Sequence, residues 1–429
     1  MAYQAIVCEL TNVREHPNAD RLKLATVQGY QIIIGLDQQE GDLGVFFPGD
    51  GMIMKDHLLN NKLYARHPDT GEEMGGYFGK NGRVRTQKFR GQPSEGFWQP
   101  LSAFEWTGDT SQLTKGYQFD TLNGHRICKK YFTPATLRAI NKEKNARKGK
   151  AQGMKTDRSM LHEHYDTKQV RHYISAIPEG AILYISEKIH GTSGRTGRIK
   201  SIYPLVGFKR WWNKWFPMKF ESAKWEYVSG TRRVVLDPDV KTDNGYYSGT
   251  SFRQKIHKEI ESMGLHKGEI LYYEIVGFDD KGRPIMPAHK VEDKKLKKKY
   301  SEQMQYTYGC DSPECNIYVY RIAHVNEEGF EIDLPWSRVI TRCRQLGLKT
   351  VPYLEGPILH TTEEELLEKL NVLANGSSTL DSSHIREGVV VRVEDPDFFE
   401  CLKYKGFWFC ELENIMKNSD EFIDPEEIA

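Results

Sequence analysis

Ten consecutive residues carry the first sign of chemistry in this chain: Ser186-Glu187-Lys188-Ile189-His190-Gly191-Thr192-Ser193-Gly194-Arg195. They follow Ala181-Ile182-Leu183-Tyr184-Ile185, a run whose composition predicts a strand. A lysine at a strand end, before a turn of small residues, can face a cleft. Its amine becomes a nucleophile once nearby cations, a metal ion or desolvation lower its pKa. Alone, Lys-x-His-Gly is more often a surface turn, and its weight comes from residues further along. Lys403 and Lys405 are spaced i, i+2, so in a strand both project from one face, where two ammonium groups can flank a triphosphate and depress the pKa of Lys188. Glu387 opens Gly388-Val389-Val390-Val391-Arg392, a strand whose Val389 and Val391 share a face and fix the acid at its edge. Carboxylates such as Glu387 and Glu274 suit Mg²⁺ or Mn²⁺, which hold phosphate oxygens and neutralise charge during phosphoryl transfer. Glu274 or Tyr320 by itself reads as structural, and the lysine pair by itself as a solvated strand face. Five such elements in order across about 220 residues are hard to obtain by accident.

That ordered set resembles the covalent nucleotidyltransferase superfamily, and within it the ATP-dependent RNA ligases. Lys188 in Lys188-Ile189-His190-Gly191-Thr192 matches the lysine that attacks the α-phosphate of ATP in that family. His190 stands where many DNA ligases and capping enzymes have Asp, a variant that points to the RNA ligase branch. Glu274 in Tyr273-Glu274-Ile275-Val276-Gly277 matches the third motif, with Tyr273 where Gly often precedes the acid. Tyr320 in Ile317-Tyr318-Val319-Tyr320-Arg321-Ile322 matches the aromatic that stacks on adenine. Glu387 matches the acid associated with the metal, Lys403 and Lys405 match the phosphate-contacting lysines, and Arg232 in Ser229-Gly230-Thr231-Arg232 resembles an arginine near the ribose. The resemblance implies catalysis by Lys188, Lys403 and Lys405. It implies nucleotide contacts from Glu187, His190, Gly191, Arg195, Arg232, Glu274, Tyr320, Lys403 and Lys405, and metal at Glu387 and Glu274. The reaction implied joins an RNA 3′-hydroxyl to a 5′-phosphate, at a nick in a duplex, through lysyl-AMP. Two alternatives stand beside it: a GTP-dependent capping-type guanylyltransferase, and a non-enzymatic RNA-binding protein.

The elements that must position these residues form an α+β chain. Residues 1–124 read as an OB-type β-barrel, 125–160 as a basic linker, and 161–429 as a nucleotidyltransferase domain on antiparallel sheets. In the first part, Leu24–Val27 and Tyr30–Ile34 flank Gln28-Gly29 as a hairpin, and His16–Leu24 resembles the entry of an OB-type tRNA-binding module. Arg83, Arg85, Lys88 and Arg90 are the RNA-binding candidates; in one flat strand the first two would share a face and the last two the other. Gly91–Gly96 resembles the end of such a module, and Leu161–Thr167 the lead-in of ligases with an N-terminal OB module. Glu269–Tyr273 and Asn316–Tyr320 read as strands, and Glu363–Leu373 as an amphipathic helix. Trp211-Trp212-Asn213-Lys214-Trp215-Phe216 reads as the core of a local hairpin ahead of a base-stacking surface, and 293–299 as a solvated basic loop.

Composition sets the frame. The 429 residues carry 60 Lys+Arg against 59 Asp+Glu. This near-neutrality averages +5 over residues 80–90, +9 over 125–160 and −6 over the last nineteen, so it does not count against an RNA partner. Seven scattered cysteines make no disulfide framework, and Cys310-Asp-Ser-Pro-Glu-Cys315 is at most half of a zinc site. No apolar run approaches the ~20 residues that span a bilayer, and the first residues show no secretory signal, so the expected product is a cytoplasmic monomer.

Overall fold

The computed structural model describes residues 3–79, 81–148, 156–216, 220–236 and 245–425. The chain forms two units, Met1–Thr133 with Gly406–Asp420, and Pro134–Lys405 with Glu421–Ala429.

The first unit is built on β1 (Ala5–Glu9), β2 (Thr11–Glu15), β3 (Lys23–Val27), β4 (Tyr30–Ile34), β5 (Leu43–Pro48), β6 (Gly96–Pro100) and β7 (Gln118–Phe119). The run Ala5-Ile6-Val7-Cys8 is apolar without alternation because both faces of β1 are covered. Ala5 and Val7 enter one core with Val45, Phe47 and Phe104, while Ile6 and Cys8 enter another with Ile32, Phe46 and Trp98. One antiparallel sheet runs β7-β1-β5-β6, and a second runs β2-β3-β4. The β3–β4 hairpin turns on Gln28 (φ 47°) and Gly29 (φ 75°), the paired positive angles of a type I′ turn.

The second unit opens with α1 (Pro134–Lys148), where a linker was expected. Proline suits a first helical position, and the Ala, Leu, Arg, Lys and Glu that follow are helix formers, so part of this basic stretch is helical. Gly149, Lys150, Gly153 and Lys155 of that stretch lie outside the described residues, as does Lys80. Next come β8 (Ile182–Lys188), β9 (Thr192–Ile202), α2 (Gly207–Trp215), β10 (Ala223–Thr231), β11 (Glu269–Gly277), β12 (Cys315–Val325), β13 (Glu331–Asp333), β14 (Tyr353–Leu359), α3 (Glu363–Ala374), β15 (Gly388–Glu394) and β16 (Phe399–Lys405). One sheet runs β16-β15-β8-β14, antiparallel throughout, with Lys168–Gln169 parallel to β16 at its edge. Its core joins Leu183, Ile185, Val389, Val391 and Leu402 to Leu366 and Leu370 of α3. Burying each such side chain contributes roughly 1.5–3 kcal/mol. α3 begins where Thr362 Oγ1 accepts from the Glu365 N–H (3.2 Å), with three glutamates in its first turn. The other sheet runs β10-β9-β11-β12-β13 and packs Ile199, Val228, Ile270 and Ala323 with Leu161.

Three further stretches depart from the sequence expectation. Residues 294–300 are helical, not looped, because Asp293 caps them by accepting from Lys295 N (2.8 Å) and Leu296 N (3.1 Å). Residues 211–215 belong to α2, none of whose side chains is buried, and the exposed Phe216 follows its end, so they are no hairpin core. The helix α4 (Phe407–Met416) belongs to the first unit, with Phe409 and Leu412 buried there and Lys417 Nζ 2.7 Å from Asp50. No helix among the described residues is long and apolar enough to cross a membrane.

Candidate active site

Strand register brings the lysines together. Across β8, β15 and β16, Lys188 lies opposite Gly388 and Gly388 opposite Lys405; one step along the same face, Ser186 lies opposite Val390 and Val390 opposite Lys403. The alternate residues Ile185, Val389, Val391 and Tyr404 fill the core behind. Gly388 separates the two lysines without a side chain. A Cβ there would sit 2.1 Å from the Tyr404 carbonyl oxygen and 2.8 Å from Lys405 Cα, so any other residue forces β15 and β16 apart.

Glu387, immediately before this row, is fully buried. Its Oε2 lies 2.7 Å from Lys188 Nζ and 3.6 Å from His190 Nδ1, and its Oε1 lies 3.1 Å from Lys405 Nζ. The lysines are partly open, at 22% and 18% exposure, whereas the acid is at 0%. A buried carboxylate is costly to desolvate, and two ammonium groups on its two oxygens offset that cost.

The turn after Lys188 is anchored from behind. His190 N–H donates to the Tyr308 hydroxyl (2.6 Å), and the His190 ring packs against Tyr306 (4.9 Å) and His289 (5.4 Å). Gly191 presses on β11: a Cβ there would lie 2.4 Å from the Ile275 carbonyl oxygen and 2.9 Å from Glu274 Cγ. Ser193 then pairs with Glu274 across the strands and donates its hydroxyl to Glu274 Oε2 (3.1 Å). Arg195, two residues on and on the same face, is 2% exposed, and its Nε and Nη1 have no hydrogen-bond partner among the described residues. Burial pulls its pKa below the usual arginine value. Tyr272 pairs with Arg321 and Tyr273 with Val319, which leaves Tyr320 as the extra residue of a β-bulge. Its ring lies 5.0 Å from that of His164. Arg232 pairs with Asp166, and the Tyr272 hydroxyl donates to the His162 carbonyl (3.0 Å), so the 161–167 lead-in lies against this sheet.

Two of the sequence candidates are placed elsewhere. Glu187 faces the opposite side of β8 from Lys188, where Oε2 accepts from Thr379 N (2.9 Å) and Oγ1 (2.7 Å); strand alternation sends it inward. Arg83 is 4% exposed in the first unit, donating to Asn418 Oδ1 (3.1 Å) and to Asn414 O (3.0 Å) and Oδ1 (2.8 Å). It is a structural residue and shares no face with Arg85, which is exposed, as is Arg90. Lys88 Nζ lies 3.8 Å from the Trp408 ring. Conversely, Tyr308 and Thr379 were not legible, because no spacing links them to Lys188 or Glu187.

No group of three or more His, Cys, Asp or Glu side chains suited to a metal ion occurs among the described residues, and Cys310 and Cys315 are free thiols. The oxygen donors present, Glu387 and Glu274, suit a hard divalent ion that completes its shell with phosphate oxygens and water.

A family model described as RNA ligase matches residues 181–405, the span from the entry of β8 to the end of β16. The chain belongs to the RNA ligase family. A model described as an OB-fold domain matches residues 5–101. No curated protein sequence matches. Among solved structures, a mutant of the Naegleria gruberi RNA ligase without ligand is 16% identical, with a TM-score of 0.58 over 97% of this chain and 100% of that one. A mutant of the same ligase with ATP and Mn is 17% identical, with a TM-score of 0.56 over 96% and 98%. That ligase with PPi is 16% identical, with a TM-score of 0.58 over 96% and 98%. At these identities the likeness establishes the fold: an OB-type module followed by a ligase domain of antiparallel sheets.

Proposed function

We propose that this chain is an ATP-dependent RNA ligase that seals a 3′-hydroxyl to a 5′-phosphate, with Lys188 as the nucleophile. The observation that carries the reading is the buried Glu387 carboxylate with Lys188 Nζ at 2.7 Å and Lys405 Nζ at 3.1 Å. A surface turn has no reason to bury an acid against two lysines of different strands. In the first step the Lys188 amine, freed of its proton, attacks the α-phosphorus of ATP. An N–P bond forms, the bond to the bridging oxygen breaks, and pyrophosphate leaves. Lys403 and Lys405 hold phosphate oxygens on the same sheet face, and Glu387 orients the amine. Arg195 brings N–H donors, Nε and one Nη, that have no partner among the described residues. Tyr320, at the bulge, stacks on the adenine, and Arg232 stands near the ribose. Glu387 and Glu274 would hold a divalent ion, which would neutralise charge on the phosphates. AMP then passes from Lys188 to an RNA 5′-phosphate, and the 3′-hydroxyl attacks that phosphate and releases AMP. The family resemblance favours a nicked RNA duplex as substrate, and the exposed Arg85 and Arg90 offer it phosphate contacts.

Incubation with labelled ATP or GTP and Mg²⁺ or Mn²⁺, followed by denaturation, tests this. ATP label retained on the wild type and absent from Lys188→Ala is the expected result. Label from GTP alone would assign a capping activity. No label with either nucleotide and either ion would leave an RNA-binding protein without this chemistry.

A further inference from the structure

The helix α2 buries none of its residues although four of the nine are aromatic. At about 100° per residue, Phe208, Trp211, Trp212 and Trp215 fall in one arc of about 100°. Phe208, Trp211 and Trp215 are 62%, 53% and 64% exposed. Lys209 and Lys214 flank this arc on its two sides, and no acid occurs from Val206 to Phe216. The cations stay close to rings: Lys214 Nζ is 5.3 Å from the Trp215 centroid and Lys209 Nζ 6.0 Å from that of Phe220. The helix is also held in place. Asn213 Nδ2 donates to Phe220 O (2.7 Å) and Asn213 Oδ1 accepts from Phe220 N (2.7 Å), a two-bond clasp between helix and returning chain. Trp212 stacks on Phe216 at 4.0 Å and 17°, backing the exposed rings.

We infer that α2 binds an unpaired stretch of the RNA substrate, stacking bases on Trp211 and Trp215 while Lys209 and Lys214 neutralise phosphates. The inference rests on the RNA ligase reading above. Its charge fits a polyanion, and its rings fit flat apolar groups that present both faces, which unpaired bases do and paired bases in an A-form duplex do not. Its place in the fold fits the same partner. β9 carries Ser193 and Arg195 near its start and runs to Ile202, about 23 Å beyond Arg195 at ~3.3 Å per residue, and α2 lies in the connection between that end of β9 and the start of β10. An RNA strand engaged beside Arg195 thus has a stacking platform at the far end of the same β9–β10 pair.

The test uses the full chain and two labelled RNAs, a fully paired nicked duplex and the same duplex with an unpaired extension. Wild type is expected to bind the extended RNA at least about tenfold more tightly, the range of one or two base–aromatic stacks. Trp211→Ala/Trp215→Ala removes that preference while taking label from ATP at the wild-type rate, which also reports a folded second unit. Lys209→Gln/Lys214→Gln lowers the log–log salt slope for the extended RNA by about 1.4. Equal affinity of wild type for both RNAs, or a tryptophan variant that keeps the preference, overturns the proposal. So does binding to phosphatidylglycerol vesicles that the tryptophan variant loses while its RNA affinity is unchanged, since α2 would then be a lipid anchor. If wild type takes no label but the tryptophan variant loses the RNA preference, the ligase reading falls and the RNA surface stands.

Discussion

Clustered cations occur in both units, and the structure treats them in opposite ways. In the first unit Arg83 is drawn inward, its guanidinium bonded to Asn414 and Asn418 and lying 4.6 Å over the Tyr131 ring, while Arg85 and Arg90 remain outside. In the second, Lys188 and Lys405 stay partly open and an acid is buried between them. The difference lies in which partner is desolvated. A buried cation whose terminal nitrogens bond neutral amides completes a fold, whereas a buried carboxylate served by two accessible amines leaves those amines facing a ligand.

Substitutions can break this contrast at either end. The largest effect is expected from Lys188→Ala, which should lower ATP labelling of the protein by at least about 10⁴-fold, with no rescue by Lys188→Arg because guanidinium does not lose its proton. Glu387→Gln keeps the shape and removes the charge; single-turnover adenylylation should fall about 10²–10³-fold, and a wild-type rate would remove Glu387 from the chemistry. Arg83→Ala should do the reverse, costing about 2–3 kcal/mol in denaturant unfolding of the first unit while ATP labelling by the folded protein is unchanged.

A pH effect of about 2 kcal/mol should come from His57. It is buried, with Nε2 2.7 Å from Gln99 Oε1 and Nδ1 accepting from Trp106 Nε1 (3.2 Å), and burial lowers its pKa from 6.5 to about 4. Between those values the unfolded chain binds more protons than the folded one, so stability falls as pH drops from 7 to 5. Melting curves of His57→Gln should lose that part of the slope. His164 and His172, lowered by burial to about 3 and about 4, act with the same sign in the second unit and keep their share. The smallest effect belongs to Arg90→Ala, which should reduce the salt slope of RNA binding by about 1 and leave unfolding unchanged.

What could be read in the sequence followed from local periodicity. Lys403 and Lys405 declare a shared face by their spacing, and Glu387 its place by the valines that follow. The same alternation shows that Glu187 must turn away from Lys188. Arg83 was not legible as structural because its acceptors lie about 330 residues later in the chain. The fate of 211–216 was not legible either, since a run of tryptophans and lysines fits a buried hairpin or an exposed helix until the surrounding strands are placed. α1 was obscured by charge: the expectation weighed the lysines and not the helix propensity that comes with them.

The helix α4 gives the first unit an unusual assembly history. The strands of that unit precede the second unit in the chain, yet Asn414 and Asn418, which accept from Arg83, and Lys417, which pairs with Asp50, follow that unit's strands. The barrel therefore leaves the ribosome with an arginine lacking its acceptors and closes only after the strands of the second unit have emerged. A fragment cut at Lys405 would keep every motif lysine and still lack the element that completes its other half.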